Sequence, residues 1–237
     1  SNTNIERLYA IESLNLIEDL SLSNCPVTDI NPIRGLVNLK SLDLDDTKIE
    51  SLNALNDLQN LRNLSANNTR LNQEQFVDFI ELKKDLLLVY QSEKLVTWWE
   101  DLSPTWQSIF KKKMYWTQEP SSKELQQLIQ IQELEISENR SINSLSPIEE
   151  LKHLKKLKIN DTQVSNIEPL SKLRFIQEID LSRNPVSDLS ALQSLSNLAF
   201  IYLNNTPIDD LEWLLNLNQI KILDISSTEV KNIKALN

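Results

Sequence analysis

The chain has 237 residues, a formal charge of −10 at neutral pH, 42 leucines, and a single Gly, Cys, His and Met. That length can bury a full core without disulfides or structural metals. One glycine (Gly35) excludes Gly-rich phosphate loops and dinucleotide turns, which need several. A lone Cys25 and a lone His153 exclude zinc-finger ligand sets and a disulfide framework, so no cofactor or metal is expected. The acidic balance argues against nucleic acid as a partner, since phosphate contacts need clustered Lys and Arg. No run of eighteen apolar residues occurs, so no direct membrane insertion is expected. The opening Ser1-Asn2-Thr3-Asn4 has neither the charged nor the apolar region of a signal peptide.

In chain order, Ile5, Leu8, Ile11 and Leu14 come first, as the second half of a unit whose strand is missing. A 22-residue unit then starts at Ile17 and restarts at Leu39 and Leu61. Within it, apolar residues fall at positions 1, 4, 6, 11, 14, 17 and 20, as in Leu39, Leu42, Leu44, Ile49, Leu52, Leu55 and Leu58. Positions 4 and 6 alternate with polar neighbours, the pattern of a short strand with one buried face. Positions 11 to 20 step by three, which suits a 3₁₀-like return, and Pro32, Pro147 and Pro169 open such returns. Position 9 (Cys25, Thr47, Thr69) points inward, where a small polar side chain can bond main-chain groups left open at the turn.

After Leu71 the pattern changes. Phe76, Phe79, Ile80 and Lys83 recur at helical spacing, so Gln73 to Lys83 is expected as an α-helix capped by Asn72. Continuing the period puts the next unit at Lys83, with Leu86 and Leu88 inward and Leu87 and Val89 on the open side. About 26 extra residues then fall between Gln91 and Ser121. They read as two helices, Ser92 to Asp101 and Pro104 to Met114, with Ser92 and Ser103 as caps. This stretch holds Trp98, Trp99, Trp106 and Trp116, expected as a small satellite core covering Leu87 and Val89. Units resume at Ile131, Leu154, Ile176, Leu198 and Ile220. Leu236 lies in a last unit that stops midway. The expected organisation is repeats over 1–91, a Trp-rich helical insertion over 92–121 and repeats over 122–237, stacked as one continuous solenoid. Two separate arrays joined by the insertion are the alternative. The raw ends belong to a trimmed piece of a longer array or are covered by a partner, self-association included.

The pattern LxxLxLxx(N/T)xIxxLxxLxxL resembles the leucine-rich-repeat family. Its 22-residue length and motifs such as Ile30-Asn31-Pro32-Ile33 and Ile167-Glu168-Pro169-Leu170 resemble the bacterial internalin-like class. The resemblance implies an α/β right-handed solenoid, with parallel strands on a concave face and 3₁₀ or short helical returns on the convex face. It also implies a non-enzymatic binding scaffold. A secreted, cell-surface or periplasmic setting follows from the same resemblance, with the cytoplasm as the alternative.

Recognition on such a face uses positions 3, 5 and 7. In the C-terminal array those rows bring Phe200, Tyr202 and Ile222 together as an apolar patch. Lys156 and Lys158 lie beside it, between Glu133/Glu135 and Glu178/Asp180, with Asp224 closing the last strand. An aromatic anchor ringed by charges has the composition of a protein-binding hot spot; scattered surface hydrophobes and solvated ion pairs are the plainer alternative. Other readings are a carbohydrate or small-ligand site on the insertion's Trp rings, and a structural spacer in a larger surface protein. Lys111-Lys112-Lys113 reads as a solvated helix end. Asp43, Asp45 and Asp46 read as a solvated strand edge, His153 as a surface residue and Cys25 as a buried thiol.

Overall fold

A computed structural model describes residues 8–231; Ile5 and Leu236 lie outside them. Among the described residues nine three-residue strands recur, eight of them at the expected places. They are β1 (Asp19–Ser21), β2 (Ser41–Asp43), β3 (Asn63–Ser65), β4 (Leu87–Val89), β5 (Glu133–Glu135), β6 (Lys156–Lys158), β7 (Glu178–Asp180), β8 (Phe200–Tyr202) and β9 (Ile222–Asp224). All pairings are parallel and in register. The strands make two sheets, β1–β4 and β5–β9. The chain forms two compact units. One runs to Glu100 and includes Pro120–Gln127; the other comprises Asp101–Glu119 and the chain from Leu128.

The inward rungs align as the period requires. Leu42 pairs with Leu64 in the first sheet, Leu157 with Ile179 in the second, and all four are buried. Each strand is too short to hold a core, so the rungs close only by stacking on their neighbours. The returns are 3₁₀ turns such as Asn31–Gly35, Glu168–Lys172 and Ser190–Ser194. Pro32, Pro147 and Pro169 each stand in the first two positions, where the missing N–H costs nothing.

Side chains complete the main-chain bonding at fixed places in the unit. At position 9, Thr47 and Thr206 hydroxyls donate to the Leu44 and Leu203 carbonyls at 2.7 and 2.6 Å. Asn184 bridges units. Its Nδ2 donates to the carbonyls of Ile159 (2.8 Å) and Leu181 (2.9 Å), and its Oδ1 accepts from the Thr162 amide at 3.1 Å. At position 13, Asp29, Asp188 and Asp210 carboxylates accept from the amide two residues on, opening the next 3₁₀ turn. At position 22, Asn38, Asn60 and Asn197 donate to the carbonyls of Asn15, Val37 and Arg174.

Position 8 is left-handed in eight units, at Asn24, Asp46, Asn68, Glu138, Asp161, Arg183, Asn205 and Ser227. None is glycine. Asn and Asp tolerate this region best, so Glu138 and Arg183 hold it under more strain.

The fourth unit differs from its expected register. Leu64 pairs with Leu88, so Leu87 and Val89 occupy positions 3 and 5, two places earlier than the period puts them, and Asp85 precedes the strand. The cause is α1 (Gln73–Leu82), capped by Asn72 and Gln75 reciprocally. An α-helix rises about 1.5 Å per residue against about 2.0 Å for a 3₁₀ turn, so the same span takes more residues. The slip is even, so Leu87 and Val89 stay on the open side and Leu86 and Leu88 stay buried. Phe76 of α1 stacks on Tyr90 at 4.3 Å. Lys83, where α1 ends, donates to the Leu58 carbonyl at 3.0 Å, and burial lowers its pKa.

The insertion helices α2 (Ser92–Asp101) and α3 (Pro104–Met114) have their expected bounds. Ser103 caps α3 by accepting from the Trp106 amide. A further helix, α4 (Ser122–Ile129), stands where a 3₁₀ return was expected. Reciprocal bonds between Ser121 and Glu124 start it. Buried Gln126 of α4 donates to the Tyr90 carbonyl.

Two substitutions test this bonding. Asn184→Leu strands several buried main-chain groups and is expected to cost about 3 kcal/mol in urea unfolding. Arg183→Gly relieves a left-handed residue and is expected to raise stability by about 1 kcal/mol in the same assay.

Candidate binding face

The open side of the second sheet is built by alternation: Leu157, Ile179 and Ile201 point to the core, so their neighbours point out. In-register pairing places Lys156, Glu178, Phe200 and Ile222 side by side in one row, and Lys158, Asp180, Tyr202 and Asp224 in the next. All eight sequence-derived candidates therefore share one face. Phe200 and Tyr202 are half-buried and Ile222 is 44 % exposed. Lys221 lies 5.9 Å from the Phe200 ring centre, within cation–π reach.

Charges on the face are already ordered. Lys156 Nζ lies 3.0 Å from Glu178 Oε2, and Lys158 Nζ is 4.0 Å from the same carboxylate. The hydrogen bond to Glu178 raises the Lys156 pKa, helped by Glu133 and Tyr202. Asp224 Oδ1 accepts from the Ser226 hydroxyl (2.7 Å) and amide (3.0 Å), which lowers its pKa. Asn204, at position 7, donates to Ser182 Oγ at 2.8 Å and Asp224 Oδ2 at 3.4 Å. A polar row that the charge pattern did not single out thus holds Asp224, the strand neighbour of Tyr202.

The first sheet has a different open side. Asp45 accepts from Ser65 Oγ, the Asn67 amide and Asn67 Nδ2, at 2.7, 2.7 and 3.1 Å. Asp43 accepts from Ser21 Oγ. These carboxylates are engaged with neighbouring donors, and no group of three or more His, Cys, Asp or Glu among the described residues is placed to hold a metal ion. Leu87 and Val89 are half-buried. Trp99 and Trp106 are buried, whereas Trp98 and Trp116 are partly accessible. His153 corrects its surface assignment: it is 1 % exposed and lies 6.3 Å from Phe175, ring parallel to ring. Its place just before Leu154 matches that of Phe175 just before Ile176, so the two rings meet across neighbouring units, whereas Asn60 and Asn197 at the same place are exposed. Cys25 is buried as expected.

In-register parallel strands joined by 3₁₀ returns, with side-chain bonds repeating at fixed positions, define a leucine-rich-repeat solenoid. Residues 17–57 and 174–216 match the family "Leucine Rich repeats (2 copies)". The chain is similar to a crystal structure of an internalin (inlF) from Listeria monocytogenes, at 20 % identity and TM-score 0.44, covering 99 % of this chain and 68 % of that one. It is also similar to an internalin C2 of the same organism (23 % identity, TM-score 0.32, 94 % and 68 % covered). A leucine-rich-repeat protein of Leptospira interrogans is similar at 20 % identity and TM-score 0.44, with 95 % and 53 % covered. No curated protein sequence matches the chain.

The bonds on Asp224 set a pH dependence. A carboxyl whose folded pKa is depressed adds stability above its unfolded pKa, and that stability is lost as pH falls through the folded value. Asp224 is therefore expected to titrate below an ordinary Asp in carboxyl NMR, and Ser226→Ala to move it back up.

Proposed function

We propose that the chain is a non-enzymatic scaffold that binds a protein partner on the concave face of its C-terminal array. Leucine-rich-repeat proteins typically serve as such scaffolds. The reading rests on one observation: Phe200, Tyr202 and Ile222 hold adjacent places on the solvent side of β8 and β9, where corresponding positions in β5–β7 carry charge. An apolar group on a polar face that needs no such group for folding marks a recognition surface. Lys156, Lys158, Glu178, Asp180 and Asp224 form its charged surround. Ordered ion pairs there limit the side-chain entropy lost on docking. Affinity then comes from shape and apolar contact, with charge selecting the partner. The proposed setting is extracellular, at the cell surface or periplasmic, on the strength of the internalin-like repeat.

The test is the double variant Phe200→Ala/Tyr202→Ala, checked for native circular dichroism. Loss of about 2 kcal/mol or more of binding to any partner cross-linked to the wild-type chain is expected. Equal capture of the same partners by the double variant and by wild type overturns the assigned face. Gln193→Ala, on an exposed 3₁₀ return, serves as the control that leaves binding unchanged.

A further inference from the structure

A second surface lies at the other end of the same sheet. β5 is its first strand. The repeat shows which main-chain groups face outward there. In β6, the Lys156 amide donates to the Gln132 carbonyl at 3.0 Å, and the Lys158 carbonyl accepts from the Ile136 amide at 2.9 Å. The Asn160 carbonyl likewise accepts from the Glu138 amide at 2.8 Å. One unit earlier the equivalent groups are the Glu133 amide and the carbonyls of Glu135 and Ser137. They point away from β6, along the open edge of β5.

This edge borders a cleft. About 760 Å³ of space lies between residues 135–139 and the C-terminal half of α3, lined there by Ile109, Lys112, Lys113 and Tyr115. Tyr115 is 91 % exposed and ends α3 with a φ of 57°, a left-handed conformation that an aromatic residue adopts only under strain. An aromatic held outward at the rim of a cleft is a ready contact residue.

The sheet itself shows what chemistry fits. On its paired side, Glu133-Leu134-Glu135 meets Lys156-Leu157-Lys158, acid opposite base and apolar opposite apolar. An occupant of the open edge meets the same two glutamates. A second copy of β5 would set glutamate against glutamate, which disfavours self-pairing. Lys112 and Lys113, on the opposite wall, complement a carboxylate further along the occupant.

We propose that the open edge of β5 and the cleft beside α3 bind an extended, basic–apolar–basic segment of a partner protein, which adds as a further strand of this sheet. Main-chain bonds to Glu133, Glu135 and Ser137 supply the affinity, and cross-strand charge supplies the selectivity. The site is distinct from the Phe200–Tyr202 face and does not depend on it.

The probe is a fluorescent eight-residue peptide alternating Lys and Val and ending in two Asp. Two controls accompany it: one with all charges reversed, one with proline at the central Val. The first peptide is expected to bind about ten-fold or more tightly than either control, since both charge and main-chain donors matter. Hydrogen exchange at the Glu133 and Glu135 amides is expected to slow on binding. Lys112→Glu/Lys113→Glu is expected to weaken binding about ten-fold, with Phe200→Ala/Tyr202→Ala leaving it unchanged. Equal binding of the proline peptide, unchanged exchange at the edge, or no binding at millimolar peptide each overturns the proposal. Exchange that slows with chain concentration alone, together with a dimer in ultracentrifugation, overturns it in favour of a second copy.

Discussion

A 22-residue unit with a three-residue strand cannot close a core on its own, and every other feature follows from that constraint. Leu42, Leu64, Leu157 and Ile179 are sealed only because the unit before and the unit after lie in parallel register. Stability is then a sum over neighbouring interfaces rather than a property of any one unit. Tight packing leaves many turn amides and carbonyls without a ladder partner. Those groups must be satisfied locally, because an unbonded buried polar group costs about 1–3 kcal/mol. Thr47, Thr206 and Asn184 do so at one turn, and Asp29, Asp188 and Asp210 at the next.

The same economy shapes the candidate binding surfaces. Since the core takes positions 4 and 6, positions 3 and 5 are released from packing and can vary freely. The first sheet carries a small polar network on its open side, in which Asp45 and Asn67 at position 7 bond with each other and with Ser65 at position 5. The second uses position 3 for Lys156, Glu178, Phe200 and Ile222 in one unbroken row. Two faces of identical backbone therefore carry different chemistry. Rigidity is common to both, and only the outward residues decide what each can recognise.

Irregularity enters where α-helix replaces 3₁₀ turn. α1 lengthens the unit that starts at Leu61 by two residues, and α2 to α4 occupy the chain between β4 and β5. Lower rise per residue explains the first of these. Apolar spacing announced α1 clearly through Phe76, Phe79 and Ile80, but the compensation in strand register did not follow from a fixed period. α4 was hidden for a related reason. Leu125 and Leu128 satisfy both a step of three and an α-helical face, and only the Ser121–Glu124 cap distinguishes them.

Periodicity by itself determined the strand sites, the inward rungs, the 3₁₀ returns and the grouping of Phe200, Tyr202 and Ile222 on one face. Those depend on local alternation, which a single chain displays directly. Tertiary structure decided what depends on neighbours across units. It buried His153 beside Phe175, turned Asn184 into a bridge to Ile159, and paired Lys156 with Glu178. It also divided the strands into two sheets and so made β5 an edge. Such features arise from contacts between residues 22 or more apart, and the identity of one residue does not specify which partner the stacking brings to it.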